Sequence, residues 1–148
     1  MHKFYITTIM CLFTLFFTSQ NLKSPDNNLD LNFSIDKSGR ATYSLNYHNK
    51  PVILNSGLGF ILKDNVEWMK IDTLDMINNF KVVNVSFDSI DEIWEPVWGE
   101  ESKIRNNYNE MFVELEQKTS QRKVNIRFRL FDDSLGFRYE FPLQENLG

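Results

Sequence analysis

The sequence has one cysteine, Cys11, and two histidines, His2 and His48, among 148 residues. A lone cysteine excludes a disulfide within the chain, and no Cys-His, Ser-His-Asp or zinc-binding constellation can be assembled from so few of these side chains. Glycine (6) and proline (4) are sparse, and no low-complexity tract or internal repeat occurs. Basic runs are also missing. With 16 Lys and Arg against 20 Asp and Glu, the formal net charge is −4, and no cationic face stands out that would gain from releasing phosphate counterions, so nucleic acid is excluded as a partner. A chain of this length has room for one domain, and one domain can bury roughly two-thirds of its unfolded surface.

The one long apolar run lies at the start. Met1, His2 and Lys3 supply a positive end, and residues 4–17 follow as fourteen mostly apolar positions. That is too short for a comfortable membrane span and has the form of a secretory signal, expected over residues 1–20, with an uncleaved anchor helix as the alternative. Cleavage would remove Cys11 and Lys3, leaving a cysteine-free chain with net charge −5 and no stable membrane span. The expected location is secreted or periplasmic. Residues 21–28, polar and carrying Pro25, read as an exposed lead-in to a domain over 29–148.

Alternation dominates that domain. Leu31, Phe33 and Ile35 alternate with Asn32, Ser34 and Asp36, and Ala41, Tyr43, Leu45 and Tyr47 with Thr42, Ser44, Asn46 and His48. A period of two is that of a half-buried strand. The turn-forming residues 36–39 between the two runs make them a hairpin. A second turn at 48–51 leads to a short strand over 52–54. Gly57 and Gly59 lack the third glycine and the Lys-Ser/Thr of a phosphate loop, and read as a bend. Between 64 and 80 the pattern weakens: Met69, Leu74 and Ile77 can share a helical face briefly, and Trp68 reads as core or surface cover.

Strand character returns over 82–87 and 109–117. Val124, Ile126, Phe128 and Leu130 alternate next, then Phe137, Tyr139 and Phe141, with Asp132 and Asp133 as turn formers between them. About eight short strands without a sustained helix predict an all-β fold, an antiparallel β-sandwich.

Residues 91–109, DEIWEPVWGEESKIRNNYN, interrupt this pattern. Pro96 and Gly99 argue against a helix and the polarity against a strand, so an irregular loop at the rim of the sheet is expected. Its candidate contact residues are Trp94, Glu95, Trp98, Glu100, Arg105, Asn106, Asn107 and Tyr108. Aromatic faces stack on sugars or plug a domain interface, and one buried ring is worth roughly 4–6 kcal/mol as an upper bound. Arg105 with Asn106 and Asn107 offers a planar fork and two amides, suited to hydroxyls, to a neighbouring carboxylate, or to the loop's own backbone. Glu92, Glu95, Glu100 and Glu101, with Asp88 and Asp91 before them, also raise the question of a catalytic pair about 5–10 Å apart, as glycoside hydrolysis requires, or of calcium. The usual fate of such charges is solvation; no EF-hand spacing exists, and neither catalytic nor metal-binding residues are assigned.

Two stretches resemble a known family. WEPVWGE with IRNNYNE (94–100 and 104–110) and FRLFDDSLGFRYEF (128–141) are similar to the N-terminal domain of glycoside hydrolase family 97, bacterial α-glucosidases and α-galactosidases, with Ser134 where glycine is more usual. The resemblance implies a galactose-mutarotase-like β-super-sandwich, a (β/α)8 catalytic barrel in the same parent chain as partner, α-linked oligosaccharide as ligand, and calcium in the full-length parent. A barrel takes about 250 residues, so the expected chain is a partial, catalytically inactive N-terminal domain. Its expected role is to brace the barrel and shape the sugar pocket. A free-standing carbohydrate-binding module and a purely structural interaction domain are the alternatives.

Overall fold

The computed structural model describes residues 19–61 and 75–147. Strands β1 (Gln20–Lys23), β2 (Leu29–Ile35), β3 (Ala41–Tyr47) and β4 (Lys50–Gly57) form one antiparallel sheet in sequence order. The two-residue strands β5 (Phe60–Ile61) and β6 (Asp75–Met76) pair with each other. A second antiparallel sheet has the order β10-β9-β8-β7, from β7 (Phe80–Trp94), β8 (Ile104–Gln117), β9 (Lys123–Leu130) and β10 (Leu135–Glu140).

The two sheets meet through the alternating apolar positions. Leu22, Leu29, Leu31, Phe33, Ala41 and Leu45 of the first sheet share one buried cluster with Met111, Val113, Leu115, Val124, Ile126, Phe128 and Leu130 of the second. Phe33 and Phe128 mark the contact, their ring centroids 5.9 Å apart at an interplanar angle of 56°. The outward positions of the same strands are polar apart from Tyr108 and Phe112 of β8, which is the alternation a sandwich demands. The all-β antiparallel expectation therefore holds.

Local chemistry sets the turns. The Asp36 carboxylate accepts the amides of Ser38 (2.8 Å) and Arg40 (3.0 Å), and the Ser38 hydroxyl holds its pKa below the ordinary value. His48 and Asn49 adopt φ of 47° and 62° between β3 and β4, the double positive pair that a two-residue hairpin turn needs. Gly57 ends β4, and the backbone bends through Leu58 and Gly59 before β5, as the glycine spacing suggests.

Three expectations change. Part of the lead-in is a strand: β1 pairs with β2, Leu22 opposite Leu31, but four residues with a single apolar position are too few to display a period. The strand expected at 52–54 runs from Lys50 to Gly57 despite Pro51, which is tolerated because β4 is an edge strand. The described residues hold ten strands rather than about eight, and β7 and β8 reach 15 and 14 residues. Of the signal expected over 1–20, residues 1–18 lie outside the described residues, as do Trp68, Met69 and Leu74, while Gln20 is the first residue of β1; Ile77 falls in the bend between β6 and β7.

Candidate functional site

The stretch expected to be an irregular loop is mostly paired strand. The last β8–β9 pair is Asn109 with Leu130, yet β7 and β8 continue together from Ile90 opposite Tyr108 to Trp94 opposite Ile104. Five further pairs at about 3.4 Å per residue carry a two-stranded arm roughly 17 Å past the sheet. Polarity did not prevent the strand because cross-strand pairing satisfies the backbone while most of the arm's side chains, Tyr108 at its base excepted, meet water. Pro96 and Gly99 are confined to the tip, residues 95–103, where Gly99 has φ 151°.

Register then divides the candidate residues. Ile90, Glu92 and Trp94 share one face with Ile104, Asn106 and Tyr108, whereas Asp91 and Ile93 share the opposite face with Arg105 and Asn107. Glu95, Trp98 and Glu100 belong to the tip. Trp98 is 89% exposed, Val97 99% and Trp94 49%. Tyr108 is only 5% exposed, its ring 5.1 Å from Phe131 and capped by the Arg129 guanidinium at 4.6 Å.

The polar side chains mostly lace the arm to itself. Arg105 forks onto Asp91, with Nε and Nη2 each 2.8 Å from a carboxylate oxygen, and this hydrogen bonding lowers the Asp91 pKa. Asn106 Nδ2 donates to Glu92 Oε1 at 2.9 Å, and Lys103 Nζ lies 3.7 Å from Glu95 Oε1. At the base, Ser89 Oγ donates to Asn109 Oδ1 at 2.7 Å, and Asn109 Nδ2 donates to the Lys23 carbonyl at 2.8 Å, fastening the arm to the first sheet.

Asp88, Glu92, Glu95, Glu100 and Glu101 are all exposed to water. Among the described residues no group of three or more His, Cys, Asp or Glu side chains gathers at a metal-binding distance. No described helix is long and apolar enough to cross a membrane.

One cluster escaped the sequence reading. On the outward face of the second sheet, buried Glu110 pairs with Arg127 Nη1 and lies 2.9 Å from Arg129 Nε, while Glu140 Oε1 lies 2.6 Å from Arg127 Nε and 2.8 Å from Arg138 Nη2. Arg127 also stacks over Phe112 at 4.3 Å. Its hydrogen bonds to Glu140, followed by those of Arg138, hold the Glu140 pKa down to about 2. Alternation alone puts Arg127, Arg129, Arg138 and Glu140 on the polar side of their strands. Only the register brings them together.

Fold and surface define an antiparallel β-sandwich module whose distinguishing feature is a projecting, aromatic-tipped arm. The chain belongs to the glycosyl-hydrolase 97 N-terminal family, whose model matches residues 22–147. It is 24% identical over 137 residues to a retaining alpha-galactosidase of Bacteroides thetaiotaomicron, a match covering 92% of this chain and 18% of the relative. A glycoside hydrolase family 97 enzyme from Pseudoalteromonas sp. strain K8, solved with panose and with acarbose, superposes with a TM-score of 0.73 at 33% identity, over 84% of this chain and 18% of that one. A beta-arabinopyranosidase superposes with a TM-score of 0.70 at 27% identity. The chain thus spans about 18% of the length of the relatives it matches.

Proposed function

We propose that this N-terminal sandwich braces the (β/α)8 catalytic barrel of a family 97 glycosidase acting on α-linked oligosaccharides, and that the β7–β8 arm forms one wall of the sugar pocket. Calcium, in this reading, is held elsewhere in the parent, and residues 1–20 direct export to the periplasm or beyond. The observation behind the reading is the arm's tip: Val97 and Trp98 are 99% and 89% exposed at the end of a ribbon that is otherwise paired and laced. Apolar surface held out on a rigid support is what an interface anchor requires. Tyr108, Arg105 and Asn106 support the arm rather than reaching outward, which leaves Trp94 and Trp98 as the contacting rings.

The test is capture of a separately expressed family 97 barrel by this chain and by its Trp98→Ala variant. Binding by the parent chain that drops about tenfold or more in the variant supports the brace. No association would sink it. Saturable heat on titrating the chain alone with panose, lost in Trp94→Ala and Trp98→Ala, would instead favour a free-standing carbohydrate-binding module. Sugar binding absent with barrel docking intact would reduce the role to structure.

A further inference from the structure

The outward face of β9 and β10 holds a feature that the arm's role does not use. Arg129 stands opposite Gly136, and Arg127 opposite Arg138, so guanidinium groups surround a position that has no side chain. A Cβ built on Gly136 would meet nothing within 4 Å. The outcome is an open notch of about 180 Å³ lined by Arg127, Arg129, Phe131, Gly136, Phe137 and Arg138. Pockets for drug-sized ligands run from about 300 Å³ upward, so this one suits a group of a few heavy atoms rather than an oligosaccharide.

The donors there are only partly used. Arg127 engages all three of its nitrogens, giving Nη1 to Glu110 and Nε and Nη2 to Glu140. Arg129 commits Nε alone, to Glu110 at 2.9 Å, and both of its Nη groups make no hydrogen bond among the described residues. Tyr108 beneath it fixes the plane of the guanidinium, 4.6 Å from the ring centroid. Arg138 places Nε and Nη2 each 2.8 Å from one oxygen of Glu140, and its Nη1 is free among the described residues. Three guanidiniums against the carboxylates of Glu110 and Glu140 leave this patch with one excess positive charge, in a chain whose formal net charge is −4.

We propose that the notch over Gly136 binds a carboxylate-bearing ligand, its oxygens between the free donors of Arg129 and Arg138 and its hydrocarbon part against Phe131. A carboxylate matches the planar donor fork of a guanidinium, and such charge-assisted hydrogen bonds are about twice as strong as neutral ones. The empty space above Gly136 is what admits it.

Heteronuclear NMR on the isotope-labelled full chain, titrated at constant ionic strength with sodium glucuronate, sodium acetate and glucose, tests this. The expected result is saturable movement of the Gly136 amide and of the Arg129 and Arg138 Nε–H signals with both anions, and none with glucose. Gly136→Val, whose Cβ would meet nothing within 4 Å, fills the notch and is expected to weaken glucuronate binding about tenfold, as is Arg138→Gln through loss of its charge. Should the valine variant not fold, Gly136→Ala replaces it, with a smaller loss expected. Glucuronate binding tighter than acetate assigns the site to a sugar acid, and equal affinities assign it to a bare carboxylate; either supports the proposal. Silence with both anions, equal movement with glucose, or undiminished binding in the folded glycine variant overturns it.

Discussion

Asn109 ties the two sheets together at the base of the arm, its side-chain amide donating to the main-chain carbonyl of Lys23 at 2.8 Å while its oxygen accepts from Ser89. Asn109 is the last β8 residue paired with β9, so this contact lies where the sandwich ends and the arm begins. Asn109→Ala is expected to cost about 1 kcal/mol, the net worth of one neutral hydrogen bond. Amide hydrogen exchange checks it: protection should fall in residues 104–108 more than in β9.

Gly39 packs against the start of β7. A Cβ there would stand 2.7 Å from the Asn79 Cα, and its φ of 80° is one that L side chains rarely adopt. The amides of Asn79 and Phe80 donate to the Ser38 and Gly39 carbonyls at 3.0 and 2.8 Å, so neither partner is free to retreat. Gly39→Ala is expected to destabilise by about 1–3 kcal/mol, measured as a lowered urea midpoint with an unchanged slope.

Stability should depend on acid through Glu140. Its folded pKa of about 2 lies below the ordinary glutamate value of 4.5. A depressed carboxylate contributes stability that is present above the unfolded pKa and is lost as pH falls through the folded one. The window is therefore about pH 4.5 down to pH 2, and with this side chain 27% exposed the contribution is roughly 1–3 kcal/mol. Denaturant titrations at pH 7 and across that window should show Glu140→Gln less stable at neutrality and flatter in acid. Equal pH slopes for the two proteins would remove Glu140 from the account.

Phe128 and Trp98 make a matched pair of tests. Phe128 is fully buried against Phe33, and Phe128→Ala is expected to cost about 3–5 kcal/mol. Trp98, 89% exposed, should change stability by no more than about 0.5 kcal/mol when replaced by alanine. Thermal melts of the two variants check both. A large loss at Trp98 would mean that the tip packs on this domain instead of reaching a partner.

The periods in Leu31, Phe33 and Ile35, and in Val124, Ile126, Phe128 and Leu130, made the sandwich legible because these strands bury one face only. The same logic misread residues 91–94 and 104–109. Alternation reports burial, and an arm whose side chains mostly meet water has little burial to report, so its strand character was invisible while Pro96 and Gly99 at the tip were conspicuous. The four-residue β1 was hidden by brevity. The candidate list over 94–108 captured the arm's exposed rings, but it also included Tyr108, whose burial under Arg129 no local pattern announces.

Sequence by itself determined the class of fold, the turns at Asp36 and Asp132, and the family, since these depend on residue type at short range and on motifs read in order. Tertiary structure decided which side of the arm each candidate faces, that Glu110 and Glu140 draw Arg127, Arg129 and Arg138 around the gap at Gly136, and that Asn109 reaches Lys23. The physical reason is register. One residue of slip reverses every side chain, and the register across strands is chosen by the packing of the whole core.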